Sequence, residues 1–210
     1  MRCCCFLMVC LLVPPVIAND DDPGHVLFAG NFDERLDESW RWLREDRNAW
    51  RVREGALEIR SQPGDANTVK NALVRDVPDR SGGKRYAIEV ELTNMSPPTE
   101  QWEQLGLTWY HEGKPVFKFV KERIDGETYI FPGKVPLKEK RVQVRLIVEG
   151  RKVIGQYRTD EETEYKTAAE AELPPAGGKD EISLQTYHGP ADAEHWMRFD
   201  DFRIVEVDFD

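Results

Sequence analysis

Trp196-Met197-Arg198-Phe199-Asp200-Asp201-Phe202-Arg203-Ile204 closes the run of short segments, beginning near Leu105, that decides the fold. Apolar and polar residues alternate through these segments with a period of two, which is typical of strands that bury one face. The same alternation is found in residues 86–93, 105–109, 117–119, 142–148 and 182–186. The chain is therefore dominated by short strands.

Glycine-bearing turns separate these segments. They are Glu54-Gly55, Glu112-Gly113, Asp125-Gly126 and Glu149-Gly150. Glycine tolerates the positive φ of tight hairpins, so each turn predicts an antiparallel reversal. Helical periodicity is confined to residues 38–46, about one or two turns at most. We therefore predict an all-β fold, a two-sheet antiparallel β-sandwich of roughly a dozen strands.

The N-terminal segment, residues 1–18, has the features of a secretory signal peptide. Arg2 precedes an apolar run that is short for a bilayer span, and Val16-Ile17-Ala18 supplies a small residue for cleavage. A retained membrane anchor is the alternative. All four cysteines lie in this segment, so the mature chain would contain no disulfide and no cysteine nucleophile. We expect a secreted or periplasmic protein with a single sandwich domain over residues 19–210.

The charge balance limits the choice of partner. The chain has 29 Lys and Arg against 39 Asp and Glu, a formal net charge of −10. Nucleic acids and anionic membrane surfaces both favour an excess of positive charge, so neither is an expected partner. No apolar run of membrane-spanning length follows residue 18, so we expect no membrane insertion of the mature chain.

Several groups of residues carry a resemblance to a known superfamily. They are Gly106-Leu107-Thr108-Trp109-Tyr110, residues 116–122, 142–146, 182–189 and 199–204, and the opening Asn31-Phe32-Asp33 with Gly55-Ala56-Leu57. Together they resemble the concanavalin A-like lectin/glucanase jelly roll, in particular DUF1349-type domains and the C-terminal β-sandwich of some family 43 glycosidases. The resemblance covers nearly all of residues 19–210, and it is more specific for architecture than for activity.

The resemblance implies that sugars, where they bind, lie on the concave face of one sheet. If Leu107 and Trp109 point into the core, strand alternation turns a second set of side chains toward that face. With Trp102, from a polar loop, the candidate carbohydrate-binding residues are Trp102, Tyr110, Lys118, Glu122, Gln185 and Tyr187. Flat rings and convergent polar groups are typical of sugar recognition. The alternative is an ordinary exposed strand face on which Lys118 and Glu122 merely pair.

A weaker hypothesis concerns catalysis. Jelly-roll glucanases carry carboxylates spaced E-x-D-x-x-E, and the nearest match here is Glu89-Val90-Glu91-Leu92-Thr93-Asn94. Glu89 and Glu91 share a strand face at ~6.5–7 Å, within the range of two-carboxylate hydrolysis. However, Asn94 replaces the third acid and a glutamate replaces the central aspartate. Glu89 and Glu91 are therefore weak catalytic candidates, and a solvated strand face is the alternative.

The resemblance also suggests a structural calcium ion. Several folds of this superfamily hold one between an acidic residue near the N-terminus and an aspartate of the final strand, and Asp33 and Asp201 occupy similar places. Calcium needs several oxygen ligands, some of them backbone carbonyls that a sequence does not reveal. The alternative is that Asp200 or Asp201 accepts backbone hydrogen bonds at a corner of the sandwich.

These observations predict a secreted, non-catalytic module that binds or accompanies poly- or oligosaccharides. One alternative is a carbohydrate-active hydrolase of the 3-keto-disaccharide hydrolase type, and a second is a structural envelope protein. A deep groove with carboxylates converging near Glu122 would favour the hydrolase, and a shallow aromatic face would favour binding. A face filled by side chains or covered by loops would favour the structural role.

Overall fold

The computed structural model describes residues 25–30, 32–33 and 35–207, so the predicted signal peptide lies outside the described residues. Within those ranges the chain forms fifteen strands and a single 3-10 turn, Arg47–Ala49. The strands are β1 (Val26–Gly30), β2 (Arg41–Leu43), β3 (Trp50–Arg53), β4 (Ala56–Ser61), β5 (Ala72–Asp76), β6 (Arg85–Asn94), β7 (Gln104–His111), β8 (Lys114–Ile124), β9 (Glu127–Phe131), β10 (Val135–Pro136), β11 (Arg141–Glu149), β12 (Lys152–Arg158), β13 (Lys166–Glu172), β14 (Asp180–Tyr187) and β15 (His195–Glu206). No helix in the described ranges is long and apolar enough to cross a bilayer.

The strands form two antiparallel sheets. Sheet A has eight strands in the order β13-β12-β11-β6-β15-β4-β3, with β1 also paired to β15. Sheet B has seven strands in the order β10-β9-β8-β7-β14-β5-β2. The strands are short and the sheets lack intervening helices in the part of the chain described, which confirms the predicted all-β, two-sheet antiparallel β-sandwich.

The inward-facing residues of both sheets make one apolar core. Ile88 and Phe199 of sheet A and Leu107, Trp109 and Phe119 of sheet B are completely buried in a single cluster. Because successive side chains of a strand point to opposite faces, the period-two pattern of the sequence gives each sheet one apolar and one polar side. The predicted core positions Leu107 and Trp109 are confirmed by this burial.

The hairpins follow the predicted turns. Gly55, Gly113, Gly126 and Gly150 have φ values of +73°, +73°, +89° and +55°, and each lies between two consecutive paired strands. The predicted helical segment 38–46 is wrong. Trp42 pairs with Leu73 at the margin of sheet B instead, so strand pairing satisfies the backbone there.

The margins of the sheets are short or charged. Sheet B ends in β10, of two residues, and in β2, of three. Sheet A ends on one side in β13, whose Lys166, Glu170 and Glu172 are exposed. On its other side sheet A ends in β3, of four residues, and in β1, whose Val26 and Leu27 are exposed. Apart from β1, the described margins therefore offer little apolar, unpaired edge to solvent.

Candidate functional site

The outer side of sheet B carries most of the predicted site residues. We call it the polar face, and it consists of Gln104, Thr108, Tyr110, Lys118, Glu122, Tyr129, Phe131, Ser183, Gln185 and Tyr187. Register brings these side chains together across the strands: Gln104 lies opposite both Glu122 and Tyr187, and Thr108 lies opposite Lys118. Strand alternation had therefore assigned the correct side of the sheet to Tyr110, Lys118, Glu122, Gln185 and Tyr187.

One half of the polar face, on β7 and β8, is a hydrogen-bonded group with an open acceptor. Nζ of Lys118 donates to Oε1 of Gln104 and to Oε1 of Glu122, each at 3.0 Å. Nε2 of Gln104 donates to the same Glu122 oxygen at 3.0 Å. The Glu122 side chain is only 4% exposed, and no described residue donates to its Oε2. Oε2 is not among the fully buried side-chain atoms of the described residues that lack a partner, so it is the oxygen of this carboxylate that water or a ligand can reach.

The other half, on β7 and β14, satisfies its own polar groups. The hydroxyl of Tyr110 donates to Oε1 of Gln185 at 3.0 Å, and Nε2 of Gln185 donates to Oγ1 of Thr108 at 2.9 Å. Oγ of Ser183 donates to the same Gln185 oxygen at 2.9 Å. Burial raises the pKa of Tyr110, so its hydroxyl stays protonated and acts as the donor.

A loop, residues 62–70, covers this second half. The carbonyl of Ala66 accepts from the Tyr110 hydroxyl at 3.3 Å, and Val69 is buried against Val74 and Tyr187. Nε of Arg44 donates to the Val69 carbonyl at 2.6 Å, which ties the loop to the chain after β2. Tyr110, Gln185 and Tyr187 are therefore buried, which corrects the expectation that they face solvent. Local alternation does not reveal a loop that folds over the sheet from another part of the chain.

Aromatic rings border the open half. Trp102 is 53% exposed, and its ring centroid lies 6.0 Å from that of His188, which lies 5.2 Å from that of Tyr187. On the opposite border, the Phe131 ring lies 4.6 Å from Nζ of Lys118. Burial, and then the ammonium group of Lys118, lower the pKa of His188, so its imidazole is neutral near pH 7.

The backbone at Trp102 is held by a buried hydrogen-bonded pair, Glu103 and His195. Oε1 of Glu103 lies 2.8 Å from Nδ1 of His195, and Oε2 of Glu103 accepts from the backbone N–H groups of Thr99 and Glu100. The Glu103 side chain is fully buried. The backbone N–H of Trp102 also donates to the Arg123 carbonyl at 2.8 Å. The backbone that carries Trp102 is therefore anchored by contacts within the protein.

Four residues of the open half and its border were not predicted: Gln104, Tyr129, Phe131 and His188. A sequence signal existed for two of them. The Asp125-Gly126 turn predicts a two-residue hairpin, and that hairpin places Tyr129 opposite Glu122 and Phe131 opposite Val120. Gln104 and His188 lie at strand ends, where single-sequence reasoning sets boundaries poorly.

The weak catalytic candidates lie elsewhere. Glu89 and Glu91 are on the outer side of sheet A, across the core from the polar face. Glu89 accepts a hydrogen bond from Nε of Arg203, and Glu91 lies 3.4 Å from Nε of Arg141. Burial raises the pKa of Glu91, and the neighbouring Arg141 opposes that rise. The two carboxylates are held in ion pairs of that sheet.

The predicted calcium ligands are both exposed. Asp201 has a φ of +48° and lies where the register of β15 shifts between Asp200 and Arg203. Oδ1 of Asp200 accepts from the Asp201 backbone N–H at 2.9 Å, as expected for a corner. Among the described residues, no three His, Cys, Asp or Glu side chains are grouped so that they could hold a metal ion. Calcium stays a prediction.

Comparison with solved structures identifies the fold. The GH43 BlXynB protein from Bacillus licheniformis is similar with a TM-score of 0.66 and 18% identity, over 92% of this chain and 41% of that chain. Xylan beta-1,4-xylosidase from Bacillus halodurans C-125 gives a TM-score of 0.64 and 17% identity, over 85% of this chain and 39% of that chain. The CBM2 module of Lactobacillus casei BL23 phage J-1 evolved Dit gives 0.55 and 8%, over 88% of this chain and 97% of that chain.

These similarities show that the fold is the concanavalin A-like β-sandwich that also occurs in family 43 glycosidases. The chain spans about two fifths of the length of the GH43 proteins that it matches. No protein-family model matches the chain, and no curated protein matches it in sequence. The narrower resemblance to DUF1349-type domains stays a prediction.

Proposed function

We propose that this protein is a secreted module that binds carbohydrate without cleaving it, through the open half of the polar face. The observation that carries the proposal is the Glu122 carboxylate, held through Oε1, on a face that the exposed ring of Trp102 borders next to His188. Lys118 and Gln104 both donate to Oε1, so Oε2 is left to accept from a ligand, and sugar hydroxyls are suitable donors.

The surroundings of Glu122 support a sugar as that ligand. Lys118 and Gln104 hold the carboxylate in place, so it does not need to reorganise when a ligand arrives. Trp102 and Phe131 border the same area with flat apolar surfaces, on which the C–H face of a pyranose can pack. The names of similar proteins, a GH43 protein and a CBM2 module, agree with a carbohydrate ligand.

The electrostatics also favour a neutral partner over a nucleic acid. Lys118 and Glu122 neutralise each other, and the lowered pKa of His188 keeps its imidazole uncharged at neutral pH. The chain as a whole has a formal net charge of −10. Phosphate-rich ligands would meet no excess of positive charge at this site.

A hydrolase of the 3-keto-disaccharide type is the alternative function, and it would need a second acid or base near Glu122. Asp65 lies close enough to act on the pKa of His188. However, its carboxylate accepts from the backbone N–H groups of Asn67 and Thr68, and these hydrogen bonds lower its pKa. Asp65 is thus engaged in shaping its own loop, which favours binding over hydrolysis.

A matched pair of tryptophan variants tests the proposal. The protein is screened on a glycan array, and affinities are then measured by calorimetry for the wild type, Trp102→Ala and Trp196→Ala. Trp196 is the control because it lies on sheet A, where the Arg51 guanidinium stacks on its ring at 4.0 Å. We expect Trp102→Ala to weaken binding about tenfold or more through loss of ring stacking, and Trp196→Ala to leave it unchanged. Binding to no glycan, or equal loss in both variants, would overturn the proposal.

A further inference from the structure

We propose that the polar face binds the end of a glycan chain and not its interior. The inference rests on the proposed function, and it follows from the shape of the polar face. In a sandwich whose outer face is open along its whole width, a polysaccharide can cross the sheet and leave on both sides. Here one side is closed.

The closed side is the β14–β5 half. The loop 62–70 lies over it, with the Ala66 carbonyl on the Tyr110 hydroxyl and Val69 packed on Val74 and Tyr187. Thr108, Tyr110, Ser183 and Gln185 are consequently almost inaccessible to solvent, although they belong to the outer side of the sheet. A sugar placed over Glu122 therefore meets the loop when it is extended toward β14.

The loop is anchored at both of its ends, so its position does not depend on a ligand. At its start, the Gly189 backbone N–H donates to the Gln62 carbonyl at 3.1 Å. A Cβ atom on Gly189 would lie 2.4 Å from the Ser61 carbonyl oxygen, so the chain leaving β14 passes in direct contact with the start of the loop. Near its other end, Arg44 holds the Val69 carbonyl.

A second wall stands where β7 begins. Trp102 and His188 contact each other there, and the buried Glu103–His195 pair fixes the backbone beneath Trp102. The remaining side, over β8 and β9, is open: Lys118, Tyr129 and Phe131 are all partly exposed. From β7 to β10 the accessible width is three strand spacings, roughly 14 Å. This space suits a terminal sugar with a short continuation toward β10.

The test measures how binding depends on the number of chain ends. Linear β-1,4-xylan and mixed-linkage β-glucan are each presented intact and after partial acid hydrolysis to graded lengths, and the amount of protein bound per gram of polysaccharide is determined. End recognition predicts that this capacity rises in proportion to the number of chain ends, about tenfold when the mean length falls tenfold. Capacity that stays constant or falls with hydrolysis would overturn the inference and leave the proposed function intact.

Further measurements distinguish failure of the end-binding inference from failure of the proposed function. If the glycan array and every xylan and β-glucan preparation show no binding, the proposed function fails and the inference falls with it. In a variant in which residues 63–69 are replaced by a short glycine-serine link, we expect intact polymer to bind with increased capacity, because the β14 side is opened. Circular dichroism establishes whether this variant folds, and the wild-type capacity measurement decides the inference independently of it.

Discussion

The two outer sides of this sandwich are built from the same alternating strands and yet carry opposite chemistry. On sheet A, three glutamates are each held by arginines, and we call this side the charged face. Its residues are Arg51, Glu58, Glu89, Glu91, Arg141, Arg145, Arg198 and Arg203. The residues that define the polar face of sheet B include one lysine and one buried glutamate among amides, hydroxyls and rings, and a second buried glutamate, Glu181, pairs with Arg41 and Lys179 at the β2 margin of the same side. It is also the side that a loop half covers.

The difference between the two faces indicates which of them binds a ligand. On the charged face each glutamate already has an arginine partner, so its negative charge is balanced within the sheet. On the polar face the Glu122 carboxylate keeps one oxygen open, next to exposed rings. A carboxylate oxygen that is available to a ligand, near flat apolar surfaces, indicates a binding site better than a high density of charge does.

The largest effect on stability is expected on the charged face. Glu58 is 1% exposed and paired with Arg51 and Arg198, which are 41% and 20% exposed. Glu58→Ala should lower the free energy of unfolding by about 2 kcal/mol, less than for a fully buried pair because both arginines reach water. Urea denaturation measures this loss, and Glu170→Ala, an exposed pair with Lys152, is the control. Loss of glycan binding in Glu58→Ala without loss of stability would contradict the division between the two faces.

Two of the three lysines of β8, Lys118 and Lys121, allow the same comparison within one strand. Lys118 lies on the polar face, whereas Lys121 points to the core side, where its ammonium group donates to the carbonyls of Glu139 and Lys140. Burial lowers the pKa of Lys121 from 10.5 to about 8. Between these values the unfolded chain keeps the proton and the folded chain loses it, so the free energy of unfolding rises with pH through that window.

Lys121→Met should remove that rise. Urea denaturation at pH 7.5 and at pH 9.5 should show a gain in stability for the wild type that is larger than in the variant by up to about 2 kcal/mol. Lys118→Met is the matched control, since Lys118 is partly exposed. Equal pH dependence in all three proteins would show that Lys121 is not held in a low-dielectric environment.

A smaller change in free energy, but one confined to binding, is expected for Glu122→Gln. The amide keeps the size and an acceptor for Lys118, but it presents either a weaker acceptor or a donor where Oε2 stood. We expect affinity for the bound glycan to fall about tenfold, close to 1.4 kcal/mol, with little change in stability. Glu89→Gln on the charged face should leave affinity unchanged. Calorimetry measures the affinity of both variants for the glycan. Equal affinities would show that Glu122 does not contribute to the binding site.

The smallest effect is expected for calcium. Asp33 and Asp201 lie outside any group of three metal-ligating side chains within the described chain. We therefore expect a chelator to lower the melting temperature by less than about 1 °C, because an ion that binds weakly to the folded state stabilises it little. A large fall in melting temperature, reversed by calcium and absent in Asp201→Asn, would establish the calcium clamp.

The sequence was informative wherever a pattern was local. Alternation predicted the sandwich, the core positions Leu107 and Trp109, and the side of sheet B on which Lys118 and Glu122 lie. Glycine turns predicted the hairpins. The covering of Tyr110 and Gln185 could not be predicted, because residues 62–70 reach them from a different part of the chain. Partnerships such as Glu103 with His195 are also long-range, so they depend on the assembled sheets and not on sequence neighbours.

The short margins of the sheets bear on how this protein behaves when many copies are crowded together. A strand edge with free N–H and C=O groups invites a second molecule to extend the sheet, which is the first step toward fibrils. The two residues of β10 and the three of β2 offer such a molecule only a few hydrogen bonds. Along β13, the exposed Lys166, Glu170 and Glu172 would have to lose water before pairing. Many copies brought close together at neighbouring chain ends would therefore find few places for strand addition and remain separate, colloidally stable particles.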